Sequence, residues 1–260
     1  GSIGCPAGSY SSEVMRRLIV SDIHANIEAL EGVLKDSEGL YDEVVCCGDL
    51  VGYCASPAEV VDWAREHVDL IVRGNHDRVC AGLDDHGWFN PKAQAAVSWT
   101  ATQLDEAQLG WLAALPAGPL LEDSFELAHG SPADEDAYLL DYDEVYPISE
   151  MLLRPICYFG HTHFQGAWTW YKDNLYALQG PAANRGEMIH ELMPSNHYLI
   201  NPGSVGQPRD RDPRAAYAIW DSDKRELALR RVAYDVASAQ KRILSAGLPT
   251  FLAQRLAIGH

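Results

Sequence analysis

The chain has 260 residues, 47% of them apolar and 22% charged, which is the make-up of an ordinary globular protein long enough to bury a full core. Twenty basic against 37 acidic residues give a net charge of −17, which argues against an extended polynucleotide groove, because such grooves bind phosphates through Lys and Arg. No apolar run approaches the ~18 residues of a membrane-spanning helix, and the opening "GSIGCPAGSYSSEV" lacks the charged and apolar regions of a signal peptide.

Residues 1–14 read as a cloning remnant or a disordered leader, and Met15 followed by "RRLIV" reads as the natural beginning of one domain over 15–260. Five apolar runs recur, and the polar residues at their carboxyl ends matter more than the runs themselves. "RRLIV" (16–20) leads into Ser21-Asp22-Ile23-His24, and "EVVCC" (43–47) leads into Gly48-Asp49. "VDLIV" (68–72) leads into Arg73-Gly74-Asn75-His76-Asp77. "SFELA" (124–128) leads into His129-Gly130, and "PICYF" (155–159) into Gly160-His161-Thr162-His163. Ile27, Leu30 and Leu34 share a helical face between the first two runs, as do Val60, Val61 and Ala64 after Pro57. Strand–helix alternation implies parallel pairing, and ligands of such sheets collect at the carboxyl ends of the strands.

Residues 78–115 read as an insertion, helical in its latter part, forming a wall or lid with the acidic tip "LDDHG". The second half changes character. "GAWTWYKDNLYALQG" (166–180) reads as a hairpin, and "HYLINPGSVG" and "AAYAIWDSDKRELALRRVAY" as further antiparallel strands. Six cysteines without a CxxC pair, Cys46 and Cys47 adjacent in an apolar run, read as small core residues in a reducing compartment, so the cytoplasm is the expected address.

Collected in order, the strand-end residues are Asp22, His24, Asp49, Asn75, His129, His161 and His163. They are too many for one four-coordinate zinc ion. They suit two divalent ions ~3.5–4 Å apart sharing a carboxylate, which clamp a reacting group between them and generate hydroxide at neutral pH. In Asp-x-His and His-x-His, side chains two apart point to the same side of an extended segment. Gly48, Gly74 and Gly160 permit tight turns beside the cluster. Mixed nitrogen and oxygen ligation suits Mn, Fe, Zn or Ni more than Ca or Mg. Singly, His129 reads as a core histidine, Asn75 as a turn residue and Asp49 as a cap; the ordered set makes coincidence a poor account. His67, His86, His190, His197 and His260 read as structural or solvated. Trp88, Trp99 and Trp111 read as core or lid packing, or alternatively as a stacking platform for bases. Arg209 either reaches a phosphate as a forked donor or pairs with Asp210 or Asp212.

Asp22-x-His24, Gly48-Asp49, Gly74-Asn75-His76-Asp77, His129 and Gly160-His161-x-His163 resemble the complete, ordered motif set of the calcineurin-like metallophosphoesterase superfamily. The likeness runs from about residue 16 to about residue 221, and "NPGSVGQPRD" is similar to the ending of small bacterial phosphodiesterase-like members. The resemblance implies an α/β fold, a four-layer α-β-β-α sandwich of two mixed sheets with metals at the strand ends. It implies that Asp22, His24, Asp49 and His163 bind one ion, and that Asp49 bridges to a second held by Asn75, His129 and His161. His76 would face the substrate phosphate and protonate the leaving oxygen or stabilise the transition state, and Asp77 would orient His76 by accepting its other N–H. The expected reaction is in-line attack of metal-bound hydroxide on a small phosphodiester or nucleotide-like phosphoanhydride. Protein phosphatases and symmetrical dinucleoside-tetraphosphate hydrolases of the superfamily carry Arg-Gly after the bridging aspartate; here the text is "GDLVGYCASP". That departure disfavours a protein phosphatase; a phosphoprotein or phosphomonoester phosphatase is kept as one alternative. A binding scaffold with a vestigial metal site is the other alternative, disfavoured because all seven positions hold competent residues.

Overall fold

The computed structural model describes residues 15–85, 87 and 89–260, so the leader, His86 and Trp88 lie outside the described residues. β1 (Arg16–Val20), β2 (Glu43–Cys46) and β3 (Leu70–Ile71) alternate with α1 (Ile27–Asp36) and α2 (Pro57–His67). Then come α3 (Asn75–Cys80), α4 (Pro91–Gln103), α5 (Glu106–Ala113), β4 (Leu120–Leu121), β5 (Glu126–Leu127), α6 (Tyr142–Val145) and a 3-10 helix over Tyr146–Glu150. Next are β6 (Ile156–Tyr158), the hairpin β7 (Gly166–Tyr171) and β8 (Asn174–Gln179), β9 (Glu187–Glu191) and β10 (His197–Asn201). The chain closes with β11 (Ala215–Asp221), β12 (Glu226–Val232), α7 (Val236–Ser245) and α8 (Thr250–Leu256).

The strands form two six-stranded mixed sheets, in the orders β3-β2-β1-β11-β12-β9 and β4-β5-β6-β10-β7-β8. β1, β2 and β3 pair in parallel in the first sheet, and β5, β6 and β10 in parallel in the second. The alternation within each strand assigns the layers. Leu18 and Val20 of β1 pack under the helices with Leu30, Val61, Ile243 and Leu252. Ile19, between them, faces the second sheet and meets Tyr158, Ile200 and Trp220. On the far side of the second sheet, Cys157 and Leu199 pack against Val145 and Ile148. Strands buried on both faces must be apolar at every position, which is why these runs read as continuous rather than alternating. Each fully buried Leu or Ile contributes roughly 1.5–3 kcal/mol.

The four layers are therefore unequal. The helix layer on the first sheet is deep, and that on the second consists of α6 and the 3-10 helix. α4 and α5 form no free flap: Ala93, Ala96, Val97 and Leu112 are buried in the helix-side core, and Trp99 and Trp111 pack against it. Those two tryptophans are core packing. β9 is an edge strand that no apolar alternation announces; its "EMIHE" carries charge at both ends, as edges exposed to pairing do. His190 within it bonds the Gln179 carbonyl at 2.8 Å. Cys46, Cys47, Cys54, Cys80 and Cys157 are buried free thiols. No described helix is long and apolar enough to cross a membrane.

Candidate metal centre

The parallel strands of both sheets deliver their carboxyl ends to one edge. Backbone hydrogen bonds continue past the strands and fix the loops there. The Asp22 N–H donates to the Gly48 carbonyl at 2.9 Å, His24 to Asp49 at 3.0 Å, and Gly160 to His129 at 2.8 Å. Asn75 is the first residue of α3, whose N-cap is Gly74. Five of the seven expected ligands have left-handed backbone: Asp22 (φ 52°), His24 (50°), Asp49 (57°), His161 (66°) and His163 (61°). Such φ values cost roughly 1–2 kcal/mol each outside glycine and gather at functional sites.

The neighbouring glycines let backbone press against ligands. A Cβ at Gly74 would fall 2.0 Å from Asp49 Oδ1, and one at Gly160 would fall 2.0 Å from Ser21 Oγ and 2.7 Å from Asp22 Oδ2. Any side chain at either position would displace a carboxylate.

All seven residues are buried and they converge. Asp22, His24, Asp49 and His163 form one group able to hold a cation, and Asp49, His129 and His161 a second, the ligand atoms of each lying within 4.8 Å of one another. Asn75 Oδ1 joins the second group, 3.0 Å from His129 Nε2. Asp49 belongs to both: its Oδ2 is 3.6 Å from His24 Nε2 and 3.4 Å from His129 Nε2. Its Oδ1 accepts the His76 N–H at 2.8 Å, which fixes the carboxylate plane.

The outer nitrogens decide what the inner ones can do. His24 Nδ1 donates to the Val51 carbonyl (2.9 Å), His163 Nδ1 to Gln207 (2.6 Å) and His129 Nδ1 to Cys47 (2.7 Å). With Nδ1 committed, the neutral rings keep a lone pair at Nε2. The Nε2 atoms of His24 and His163 face each other at 3.2 Å. Two lone pairs at that distance repel unless a cation lies between them, and two imidazoles on one ion at about 2.0–2.1 Å leave their nitrogens about that far apart. Asp22 Oδ1 and His161 Nε2 are buried without a hydrogen-bond partner among the described residues. The donor set thus fits divalent metal ions. Burial chiefly holds His24 well below the ordinary imidazole range and takes His161 to about 3, so both are neutral and able to ligate at pH 7. His129 differs. Burial, the largest single influence, opposes its protonation, but the Asp49 and Asp22 carboxylates and the Cys47 carbonyl together lift it to about 10.

The flanking residues require one correction. Asp77 does not orient His76. Its Oδ2 accepts the N–H groups of Asp49 (2.8 Å) and Gly74 (2.9 Å), and its Oδ1 those of Leu50 (2.9 Å) and Val51 (3.3 Å). Asp77 therefore ties the loop after β2 to the start of α3. His76 Nδ1 is buried with no hydrogen-bond partner among the described residues. Its ring lies in tilted contact with those of Tyr53 (4.5 Å between centroids) and Phe89 (4.6 Å), and Gly52 (φ 92°) leaves room for it. Arg209 is also decided. Asp210 is taken by Arg231 and Asp212 by Arg214 at 2.6 Å, so Arg209 turns to the Tyr53 hydroxyl and Gln207, 3.3 Å from each. A cavity of about 250 Å³ lies over the cluster, lined among others by Asp49, His76, His163, Arg209 and Tyr138. Tyr53 and Tyr138 escaped sequence reading; nothing around either tyrosine marks it as a site residue.

"NPGSVGQPRD" gains a physical role. Asn201 Nδ2 binds the Gly160 carbonyl (3.0 Å) and Thr162 Oγ1 (2.9 Å), and Ser204 Oγ binds the Asp22 carbonyl (2.8 Å). The segment clamps the Asp-x-His loop to the His-x-His loop.

Two mixed sheets meeting at an edge that carries buried carboxylates and imidazoles define a metallohydrolase architecture. The chain belongs to the calcineurin-like phosphoesterase superfamily: the profile of that superfamily's domain matches residues 15–225. It is accordingly a metal-dependent phosphoester hydrolase. An uncharacterised protein of Methanocaldococcus jannaschii is 33% identical over 93% of this chain and 97% of its own. The crystal structure of a metallophosphoesterase from Sphaerobacter thermophilus superposes with a TM-score of 0.82 at 37% identity, covering 95% of this chain and 99% of that one. A hypothetical protein of Pyrococcus horikoshii OT3 shares the fold, with a TM-score of 0.72 at 20% identity over 94% and 98% of the two chains.

Proposed function

We propose that the protein hydrolyses a small phosphodiester or nucleotide-like phosphoanhydride with two divalent transition-metal ions, drawn from Mn, Fe, Zn or Ni. The observation that carries the reading is the pair of donor groups joined by Asp49. Asp22, His24, Asp49 and His163 would hold one ion, and Asp49, Asn75, His129 and His161 the other. Bound there, such ions neutralise phosphoryl charge and make water nucleophilic at neutral pH.

The chain's own residues do the rest. Arg209, with no carboxylate partner among the described residues, offers a planar forked donor to a phosphoryl oxygen. His76 lines the same cavity and would stabilise charge on the departing oxygen through an N–H. Asp77 keeps Asp49 and His76 in register through the shared loop. A cavity of about 250 Å³ and a net charge of −17 favour a small substrate over a polynucleotide or a membrane surface. One guanidinium on this wall among the described residues, and Gly52-Tyr53 where protein phosphatases carry Arg-Gly, favour diesters over phosphoproteins.

The test is a hydrolysis screen with added manganese across bis(4-nitrophenyl) phosphate, 4-nitrophenyl phosphate, nucleotide anhydrides and a phosphopeptide. The highest kcat/KM is expected on a diester or anhydride, and a phosphopeptide preference would contradict the reading. His76→Ala should keep its metal and lose about 10²-fold or more in rate. Loss of metal from that variant would make His76 a ligand.

A further inference from the structure

The cavity over the metal cluster shares Tyr53 and Asn90 with a second one, also about 250 Å³, completed chiefly by Lys92, Phe251 and Arg255. Lys92 Nζ is 3.5 Å from the centroid of the Phe251 ring, and the Arg255 guanidinium carbon is 5.3 Å from the same point. One aromatic ring thus carries two cations. Arg209 stands on the near side of the shared wall, bonded to the Tyr53 hydroxyl. Among the described residues the side-chain hydrogen bonds of Arg209 and Arg255 go to Tyr53, Gln207 and the main-chain oxygen of His260, and none to an Asp or Glu side chain. Burial, and next the charge of Arg209, push the half-buried Arg255 guanidinium down to about 10. A bound anion would relieve both. Three cations with no Asp or Glu partner among the described residues, leading away from a phosphoester site, are conspicuous in a chain of net charge −17.

We infer that the second cavity is a subsite for a second phosphate of the substrate, bound by Arg255 and Lys92, with Arg209 between it and the scissile phosphoester. The substrate class is a compound carrying at least two phosphates, such as a nucleoside polyphosphate, its organic part resting on Phe251. This rests on the phosphoesterase reading for the position of the scissile group, and its test is independent of turnover.

The test is calorimetric titration of the manganese-loaded protein with inorganic pyrophosphate and with orthophosphate, both in excess magnesium, with bound manganese counted after each run. Pyrophosphate should bind the parent protein at least about tenfold more tightly than orthophosphate. Arg255→Gln and Lys92→Gln should each shrink that ratio about fivefold or more, and Arg255→Lys should keep most of it. Lys92 is exposed, so its variant reads out the subsite even where a change at Arg255 disturbs folding. Equal affinity for the two anions in the parent, or an unchanged ratio in both Gln variants, would overturn the subsite. A barren hydrolysis screen with the ratio behaving as expected would instead overturn the phosphoesterase reading and leave the subsite standing.

Discussion

Residue by residue, the site is a set of strained backbones held in place by close contacts. Gly160→Ala would drive a methyl group to 2.0 Å from Ser21 Oγ and 2.7 Å from Asp22 Oδ2. The carboxylate must move, so metal affinity should fall at least tenfold and stability by about 1–3 kcal/mol; metal content and melting temperature measured together check this. His129 gives a pH dependence. Burial disfavours its proton, but Asp49, Asp22 and the Cys47 carbonyl together raise the ring to about 10. A cation entering the second group must displace that proton, so affinity there should weaken about tenfold per pH unit as pH falls through the neutral range. Chelator competition at pH 7 and pH 8 measures it, and a pH-independent affinity would show that His129 carries no proton. In the metal-free protein the sign reverses: a folded pKa raised above the unfolded value stabilises the fold fully below the ordinary imidazole range, and that stabilisation is lost as pH rises through about 10. The ligands were legible in the sequence because a buried strand ending in Asp or His is rare without a purpose. The work of Asp77 was not, because its partners are backbone amides of residues 49–51 that only the fold brings near. Arg209 was undecided for the same reason: the ion pairs of Arg231 and Arg214 that free it come from a distant strand and a turn.

Among the larger elements, one loop over the cluster is tethered by ion pairs. Glu135 takes a bidentate contact from Arg73 (2.9 and 3.0 Å) and a further one from Arg78 (2.9 Å), while Asp136 binds Arg78 at 2.8 Å. This pins the segment that carries Tyr138, whose ring lies 4.1 Å from that of His161. Glu135→Gln should free the loop at a cost of roughly 1–2 kcal/mol, discounted for partial exposure. Hydrogen exchange over residues 131–140 should quicken several-fold and KM should rise, with metal content unchanged; lost metal would place Glu135 nearer the chemistry than its contacts indicate. The helices and the strands buried on both faces were legible in periodicity and apolar runs. β9 was not, since an edge strand with exposed glutamates has no buried face to impose alternation. The insertion was legible as helical, but only its packing against the helix-side core shows that α4 and α5 belong to the main layer.

In the molecule taken entire, the metal centre sits where two sheets are joined by side chains and loops rather than by strand pairing. Ligands from both sheets on shared ions would act as staples across that edge. At 100 times the dissociation constant, each bound ion adds about 2.7 kcal/mol to unfolding. Chelation should therefore lower the melting temperature by roughly 5–10 °C per site, and an unmoved transition would detach the cluster from the fold's stability. The proposed chemistry turns on Asp49 serving two cation sites at once, and counting metal ions decides whether it does. Mass-spectrometric analysis of the manganese-reconstituted parent and Asp49→Asn, at known protein concentration, should give close to two ions per chain for the parent and a loss at both sites in the variant. A parent that saturates near one ion with full activity, or a variant that loses only one of two, would contradict it.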